Sequence, residues 1–478
     1  MGTAYFNLSN SPLISLSWIL TFLFTSVAAV YSLWISPDFF NLALVFSILF
    51  LWLYKHRRIP AEEVRREKWR FLSTAGTDYL AAALAGIAFF SKPPNVVLIG
   101  ILVLFYLLRR NFIRALVIVL IFLLTAALFL GTNYLVTGDW NYQGGERKTF
   151  YGRGGYPLER PDLTFESARG DEMTSENYSD KHLLPPQFIA YNLYYYFAGR
   201  FTGVIWYFFP AFFCLILFIF SKKRLDGWLI LAALTAEILI YILLMPDNYS
   251  GGGGTLANRY FLSIYPLFLF LPQPERKPWQ VGLCWGIACF FTAQILINPI
   301  AHSHYPDTHT KRFPFKWLPV EMTLVNNFPT NTNPWAFRQT VGIQPDIGWL
   351  HFLDGNFLGR SRDLREKGFW TRGSEKAEMI LKTYYPVREL VFQVLNNPRP
   401  SNRITVQVGG QKKAVTLGSR QRATLTFSQL KAFRIESLYL FKIKVKADKD
   451  SIPSFESGGS SDRRHLGVYF ELEIIPEK

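Results

Sequence analysis

Up to residue 297 the chain alternates between apolar runs and short polar connections, and this pattern excludes most soluble folds. Nine runs stand out, at 13–35, 39–54, 72–90, 95–108, 115–132, 202–220, 228–244, 260–271 and 281–297. About twenty consecutive apolar residues cross a bilayer as a helix, and shorter runs do so where neighbours cover their backbone ends. The pattern predicts an α-helical polytopic membrane bundle of about nine spans over 1–297. The runs at 95–108 and 260–271 are short and fit tilted or re-entrant segments. Charges are read only at the ends of the runs, and no internal repeat is seen. A transporter would carry charged or broken-helix residues near the midplane, often in related halves.

The connections alternate in charge. Basic residues crowd into Lys55 to Arg70, Arg109 to Arg114, Lys222 to Arg224 and Glu275 to Lys277, and the intervening turns hold almost none. Short cytoplasmic loops collect Lys and Arg. The basic set is therefore expected inside, with the long polar loop 133–199 and everything after residue 298 outside. No Lys or Arg precedes Lys55, so a signal peptide of the usual kind is not expected. The net charge of +16 follows from these loops, and no basic–aromatic motif points to nucleic acid. Cys214, Cys284 and Cys289 lie inside apolar runs, with neither disulfide nor metal spacing.

After residue 297 the texture changes. Residues 298–365 are rich in Pro, Asn and aromatics and read as an irregular connector. From 366 to 478, short alternating runs such as "RITVQVG", "RATLTFS" and "LGVYFELEII" are separated by Gly, Asn and Pro turns. Period-two alternation at this density predicts an extracytoplasmic all-β sandwich or jelly roll.

Candidate site residues follow from charges placed where a greasy chain would not want them. Arg259 ends a Gly-rich stretch, "SGGGGTLANR", and opens an apolar run with Tyr260. A guanidinium fork suits phosphate, and glycines let backbone approach it closely. A snorkelling side chain would look the same in sequence. Lys92, in "FFSKPPNVV", is isolated on the connection side that otherwise lacks basic residues. Asp38, in "WISPDFFN", is a carboxylate in a minimal turn, able to accept a proton, position a metal or sugar, or cap the next helix. Asp139 stands where "NYLVTGDW" leaves an apolar run. The histidines of "HSHYPDTH" (302–309) lack a paired carboxylate at ligand spacing, so the metal site is unknown. No cofactor is specified, and a divalent metal stays open.

Three of these stretches resemble the GT-C class of polyprenyl-phosphate-sugar-dependent glycosyltransferases, the superfamily of protein O-mannosyltransferases and aminoarabinose transferases. "LAGIAFFSKPPNVVLIGILVLFYLLRR" is similar to their G-x-x-x-x-x-K-P/G-P helical pair. "NRYFLSIYPLFLFL" is similar to their RY-x-x-x-x-P segment, and "NYLVTGDW" to an N-x-x-x-x-G exit from a middle helix. The likeness spans roughly the first 300 residues. It implies transfer of a sugar from a polyprenyl-phosphate donor to a glycan, lipid or protein acceptor, at the outer face of a prokaryotic inner or plasma membrane. Lys92, Arg259 and Tyr260 would hold the lipid phosphate, with Asp38 and Asp139 as catalytic carboxylates. Such enzymes begin with a helix–loop–helix whose loop carries the catalytic Asp or Glu that serves as the main base. This chain enters at what resembles the approach to the third helix, so the resemblance supplies no position for that residue.

The last domain is similar to small β-domains attached to surface-polysaccharide enzymes. Trp370 and Arg372 near its start, and "DRR" at 462–464 before its last strand, suggest a structural lock or a glycan-contacting edge. The competing expectation is a non-catalytic scaffold or export component of surface-polysaccharide assembly with a glycan-binding β-domain.

Overall fold

A computed structural model describes residues 12–34, 36–57, 70–138, 140, 186–246, 248–252, 255–272, 277–328, 338–341, 348–358, 368–383, 385–435, 438–456 and 461–477. It divides into two compact units, a helical one ending at Glu321 and a β unit beginning at Met322.

The main helices of the first unit are α1 (Pro12–Phe24), α2 (Pro37–Leu53), α3 (Gly76–Ser91), α4 (Val96–Leu108), α5 (Phe112–Thr137), α6 (Pro186–Ala198), α7 (Phe209–Phe220), α8 (Leu225–Leu244), α9 (Phe261–Phe270) and α10 (Pro278–Leu296). Local signals set several of their ends. The Asn111 side chain accepts from the Arg114 amide at 3.2 Å and starts α5. Gly138, at φ +80°, stops α5 by donating its amide to Tyr134. Pro37 and Pro278 occupy first-turn positions whose amides would be unbonded anyway. α3 packs against α2 and α5, and α9 lies among α2, α7 and α8. Contact between α3 and α5 depends on Gly86, where a Cβ would sit 2.8 Å from Thr125 Cβ and 3.0 Å from the Phe122 carbonyl.

By length and composition, three described helices could cross a membrane: α5 with 26 residues, α8 with 20 and α10 with 19. The expectation of about nine spans is not met, because six further apolar helices run only 10–17 residues. At 1.5 Å per residue a ten-residue helix reaches about 15 Å, half a hydrocarbon core. α5 leaves much of its apolar surface uncovered. Ile113, Leu124, Leu128, Leu135 and Val136 are each more than 60% exposed.

Two expectations for the connections also change. The segment 133–199 is not polar throughout: α5 continues to Thr137, and α6 follows, burying Phe188, Asn192, Tyr195 and Tyr196 on one face. Residues 298–365 are not wholly irregular either. The helical unit runs on to Glu321 through short turns, and three strands of the β unit precede residue 366.

The β unit holds two antiparallel sheets. One has the order β1-β2-β5-β11-β7-β8, with β10 also paired to β11; the other has the order β3-β4-β12-β6-β9. The first comprises β1 (Arg338–Val341), β2 (Gly348–Phe352), β5 (Ala377–Thr383), β7 (Asn402–Val408), β8 (Gln411–Leu417), β10 (Phe433–Ile435) and β11 (Leu438–Ala447). The second comprises β3 (Phe357–Leu358), β4 (Phe369–Arg372), β6 (Val387–Asn396), β9 (Arg422–Ser428) and β12 (Leu466–Pro476). A single apolar core joins them: Met379, Leu381, Ile404, Phe441 and Ile443 from one sheet, Phe392, Val394, Phe427 and Phe470 from the other. Alternation along β7 and β12 supplies the inward residues, which makes this a β-sandwich.

Candidate functional site

Asp38, Lys92, Arg259 and Tyr260 come from three separate connections and meet at one end of the helical unit. Lys92 donates to Asp38 Oδ1 and, at 3.0 Å, to Ser263 Oγ. The other carboxylate oxygen of Asp38 lies 3.8 Å from Arg259 Nε. Lys92 Nζ stands 5.7 Å and the Arg259 guanidinium carbon 5.5 Å from the centre of the Tyr260 ring, within reach of its π face. Tyr260 is fixed by stacking on Tyr241, with ring centres 4.5 Å apart.

Local sequence explains each placement. Lys92 ends α3 in extended backbone (φ −147°, ψ 106°), as a residue before proline prefers. The turn that follows is tied to the start of α2 by amides. Asn95 Nδ2 donates to Asn41 Oδ1 at 3.0 Å, and Asn41 Nδ2 donates to Ser91 Oγ at 2.7 Å and to the Pro37 carbonyl at 2.8 Å. This Asn41–Asn95 bridge sets the spacing of Asp38 and Lys92, and the sequence analysis did not single it out. Arg259 is seated by its amide, which donates to the Ser250 carbonyl at 2.9 Å. Gly251, at φ +96°, lies so near that a Cβ there would be 3.0 Å from Arg259 Nε, so only glycine suits both the turn and the contact.

The cluster is mostly dry. The Asp38 side chain is 2% exposed, Lys92 11% and Arg259 29%. Burial pulls the Lys92 ammonium below the ordinary lysine range, while Asp38 pulls the other way. Among the described residues the buried Arg259 Nε has no hydrogen bond, and the guanidinium faces Asp38 and the Tyr260 ring. Asp38 does not cap α2: Ser36 holds the cap position and Asp38 turns toward the cations. Bound to one cation and facing another, this carboxylate is better placed to hold a positive pair in register than to accept a substrate proton. Asp139 lies outside the described residues.

One charge was missed altogether. Glu237 lies in the middle of α8, contrary to the reading that charges occur only at the ends of the apolar runs. It is fully buried, with both carboxylate oxygens unbonded among the described residues. A single Glu in "ALTAEILIY" is diluted by its neighbours in any hydropathy average, which hides it.

The opposite end of the unit carries a second set of buried charges. Lys55, His56 and Arg57 follow α2 and dock on three different helices. Lys55 pairs with Asp78 of α3 at 2.5 Å, His56 Nε2 meets the Tyr106 hydroxyl of α4 at 3.1 Å, and Arg57 pairs with Asp226 of α8 at 2.6 Å. Arg57 also donates to the Pro272 carbonyl at 3.3 Å, and Arg224 reaches Asp226 at 3.2 Å and the His56 carbonyl at 2.6 Å. Burial lowers the His56 pKa to about 4. Part of the basic sequence signal therefore belongs to internal ion pairs.

The histidines at 302–309 do not converge on a metal geometry. His309 is buried against the Tyr207 hydroxyl at 2.8 Å, His302 meets the Thr308 hydroxyl at 3.0 Å, and no metal-holding group of His, Cys, Asp or Glu occurs among the described residues. Nearby, buried Glu321 clasps the chain after α6. Its Oε1 accepts from the amides of Phe201 and Thr202, both at 2.7 Å. Burial raises its pKa to about 7 despite those donors. A raised carboxyl pKa means the native state binds the proton more tightly than the unfolded chain, so stability falls as pH rises from about 4.5 to about 7. Thermal unfolding should show that loss in the native protein and a flatter profile in Glu321→Gln. Equal slopes would remove Glu321 as the cause.

In the β unit, Trp370 is half-buried on β4 beside Tyr469, with ring centres 5.5 Å apart, while its neighbour Phe369 enters the core. Arg372 is exposed, with no ion pair among the described residues, and Asp462 is engaged by Arg464 at 2.8 Å. The two segments do meet, through Gly373 donating to the His465 carbonyl and Val468 to Thr371 Oγ1.

No protein-family profile and no curated protein matches the chain. Among solved structures, TmCBM61 in complex with beta-1,4-galactotriose matches at 9% identity, over 30% of this chain and 92% of that one, with a TM-score of 0.17. The GH115 4-O-methyl-alpha-glucuronidase BtGH115A, described as specific for decorated arabinogalactans, matches at 9% identity, over 51% of this chain and 31% of that one, with a TM-score of 0.15. Scores this low support no argument about fold or function, so the chemistry of the charged cluster carries the reading that follows.

Proposed function

We propose that the helical unit is a membrane glycosyltransferase of GT-C type, moving a sugar from a polyprenyl-phosphate donor to an acceptor hydroxyl. The observation that carries this reading is the convergence of Lys92 and Arg259 on Asp38, with Arg259 Nε free of hydrogen bonds among the described residues. Two cations on one carboxylate leave a net positive site, and Arg matches a phosphate with two parallel hydrogen bonds. The uncovered apolar surface of α5 supports a bilayer setting, where a polyprenyl tail would also lie.

In the reaction, the acceptor oxygen bonds to the anomeric carbon as the bond from that carbon to the phosphate oxygen breaks. The bonding pair leaves with the lipid phosphate, whose new charge Lys92 and Arg259 offset. The acceptor proton passes to a base or to the departing phosphate. Asp38 keeps the two cations at fixed spacing and acts through them. The β unit by itself would bind glycan at the half-buried Trp370 beside Tyr469.

Binding tests the phosphate site directly. The purified protein in nanodiscs should bind a polyprenyl phosphate and discriminate against inorganic phosphate, which lacks the tail. Arg259→Ala should weaken polyprenyl-phosphate binding by about tenfold to a hundredfold, as loss of a charge-assisted contact does. Unchanged binding in Arg259→Ala removes the site. Binding of inorganic phosphate at equal affinity points to a soluble anion. A protein that ignores both and still binds glycan through its β unit is a scaffold.

A further inference from the structure

Several buried polar atoms near the charged cluster have no hydrogen-bond partner among the described residues. They are both carboxylate oxygens of Glu237, the Tyr196 hydroxyl, Asn192 Oδ1 and Asn258 Nδ2. All four side chains are fully buried. In finished interiors such groups are paired, so a group of them needs an explanation. They come from neighbouring elements. α8 packs on α6, on α9 and on the turn at 93–95 just after Lys92. Asn192 and Tyr196 are one turn apart on the inner face of α6, and Asn258 immediately precedes Arg259. Tyr241, one turn after Glu237 on α8, stacks on Tyr260 at 4.5 Å and ties this stretch of α8 to the cation cluster.

The chemistry of the set is specific. It offers acceptors (Glu237, Asn192), a donor (Asn258) and a hydroxyl able to do either (Tyr196). Aromatic rings surround it: Tyr196 lies 5.9 Å from Tyr249 and 6.2 Å from Phe261, centre to centre. Mixed donors and acceptors with aromatic walls suit a ring that carries hydroxyls outward and presents C–H faces. Nothing cationic lines this corner among the described side chains of the set, so it suits a neutral hydroxylated group better than a phosphate.

We propose that Glu237, with Tyr196 and Asn258, forms the subsite for the sugar ring of the donor and selects a hydroxylated sugar by hydrogen bonds to its hydroxyls. This rests on the phosphate reading above: Lys92 and Arg259 hold the charged end, and Glu237 reads what is attached to it. A buried carboxylate midway along an apolar helix is costly, and a substrate-contacting role accounts for keeping it there. A site built to hydrogen-bond hydroxyls also discriminates strongly, since an unsuitable ligand leaves its buried groups unpaired.

The experiment compares bare polyprenyl phosphate with polyprenyl phosphates carrying glucose, mannose, galactose, arabinose or glucuronate, all in nanodiscs. The native protein should bind at least one neutral glycosylated lipid about tenfold more tightly than the bare lipid. Glu237→Gln, nearly the same shape, should erase the preference for the neutral sugar while affinity for the bare lipid stays close to native. Tyr196→Phe, which removes one oxygen, should lower the preference in part. A preference that survives in Glu237→Gln overturns the proposal. So does a native protein with no preference among the lipids, as expected if water alone filled the space. These outcomes are separate from failure of the phosphate site, where the bare lipid itself does not bind or Arg259→Ala makes no difference.

Discussion

Asp38→Asn should lower the stability of the purified protein by about 3 kcal/mol, because removing one member of a buried ion pair leaves the other charge uncompensated. Two cations depend on this carboxylate, Lys92 at hydrogen-bond range and Arg259 at 3.8 Å. The Asn side chain keeps the shape and loses the charge. The same variant should bind an anion more tightly than the native protein, since the competing carboxylate is gone. Added polyprenyl phosphate should therefore raise the unfolding temperature of Asp38→Asn by more than it raises that of the native chain. Differential scanning fluorimetry with and without the lipid reads both effects. If Asp38 were the catalytic base, turnover would vanish in Asp38→Asn without any gain in lipid-induced stabilisation, and that result would return it to the role its sequence position suggests.

Asp226→Ala should cost about 3–5 kcal/mol, the range for breaking a buried ion pair. The side chains of Arg57 and Asp226 are 6% and 4% exposed, so water cannot replace the lost partner. Arg57 bridges α2, α8 and the end of α9, and α9 begins just after Arg259. The expected result is loss of folded protein on extraction, or a large fall in unfolding temperature. Arg57→Met, which removes the charge and keeps the stem, combined with Asp226→Leu should recover much of the loss, because no buried guanidinium is then left unpaired and Arg224, 38% exposed, keeps the His56 carbonyl and water. A single Asp226→Ala variant as stable as the native protein would show that this end is held by packing alone.

Much of the site was legible because apolar surroundings make a charge conspicuous. Lys92 and Arg259 were singled out on that ground, and the structure brings them together with Asp38 and Tyr260. Glu237 obeyed the same logic and escaped, because it is one residue inside a long apolar run and hydropathy averages over it. α6 escaped for the opposite reason. Its neighbours at 133–185 are polar, and the pattern Phe188, Asn192, Tyr195, Tyr196, spaced as one helical face, was absorbed into a loop. The pairings of Arg57 with Asp226 and of Asn41 with Asn95 join residues 169 and 54 positions apart, and nothing local announces such partners. In the β unit, the longer strands were readable from alternation. β1, β2 and β3 were not: all three are short and lie in the segment 298–365 that reads as a connector, and β3 has only two residues.

The basic triplet at 55–57 has a further consequence. Its three side chains rivet α2 to α3, α4 and α8 at one end, while the other end holds the carboxylate-linked cations and the orphaned polar atoms. The triplet's ion pairs cross three helices at one end, whereas the cation cluster at the other has buried polar atoms on α6 and α8 without partners among the described residues. If a lipid phosphate binds between Lys92 and Arg259, its effect on the helices is expected at that end, with the contacts of Lys55, His56 and Arg57 left in place. Hydrogen exchange should then report slow amides beside that triplet whether or not lipid is present, and ligand-dependent protection only toward Lys92 and Arg259.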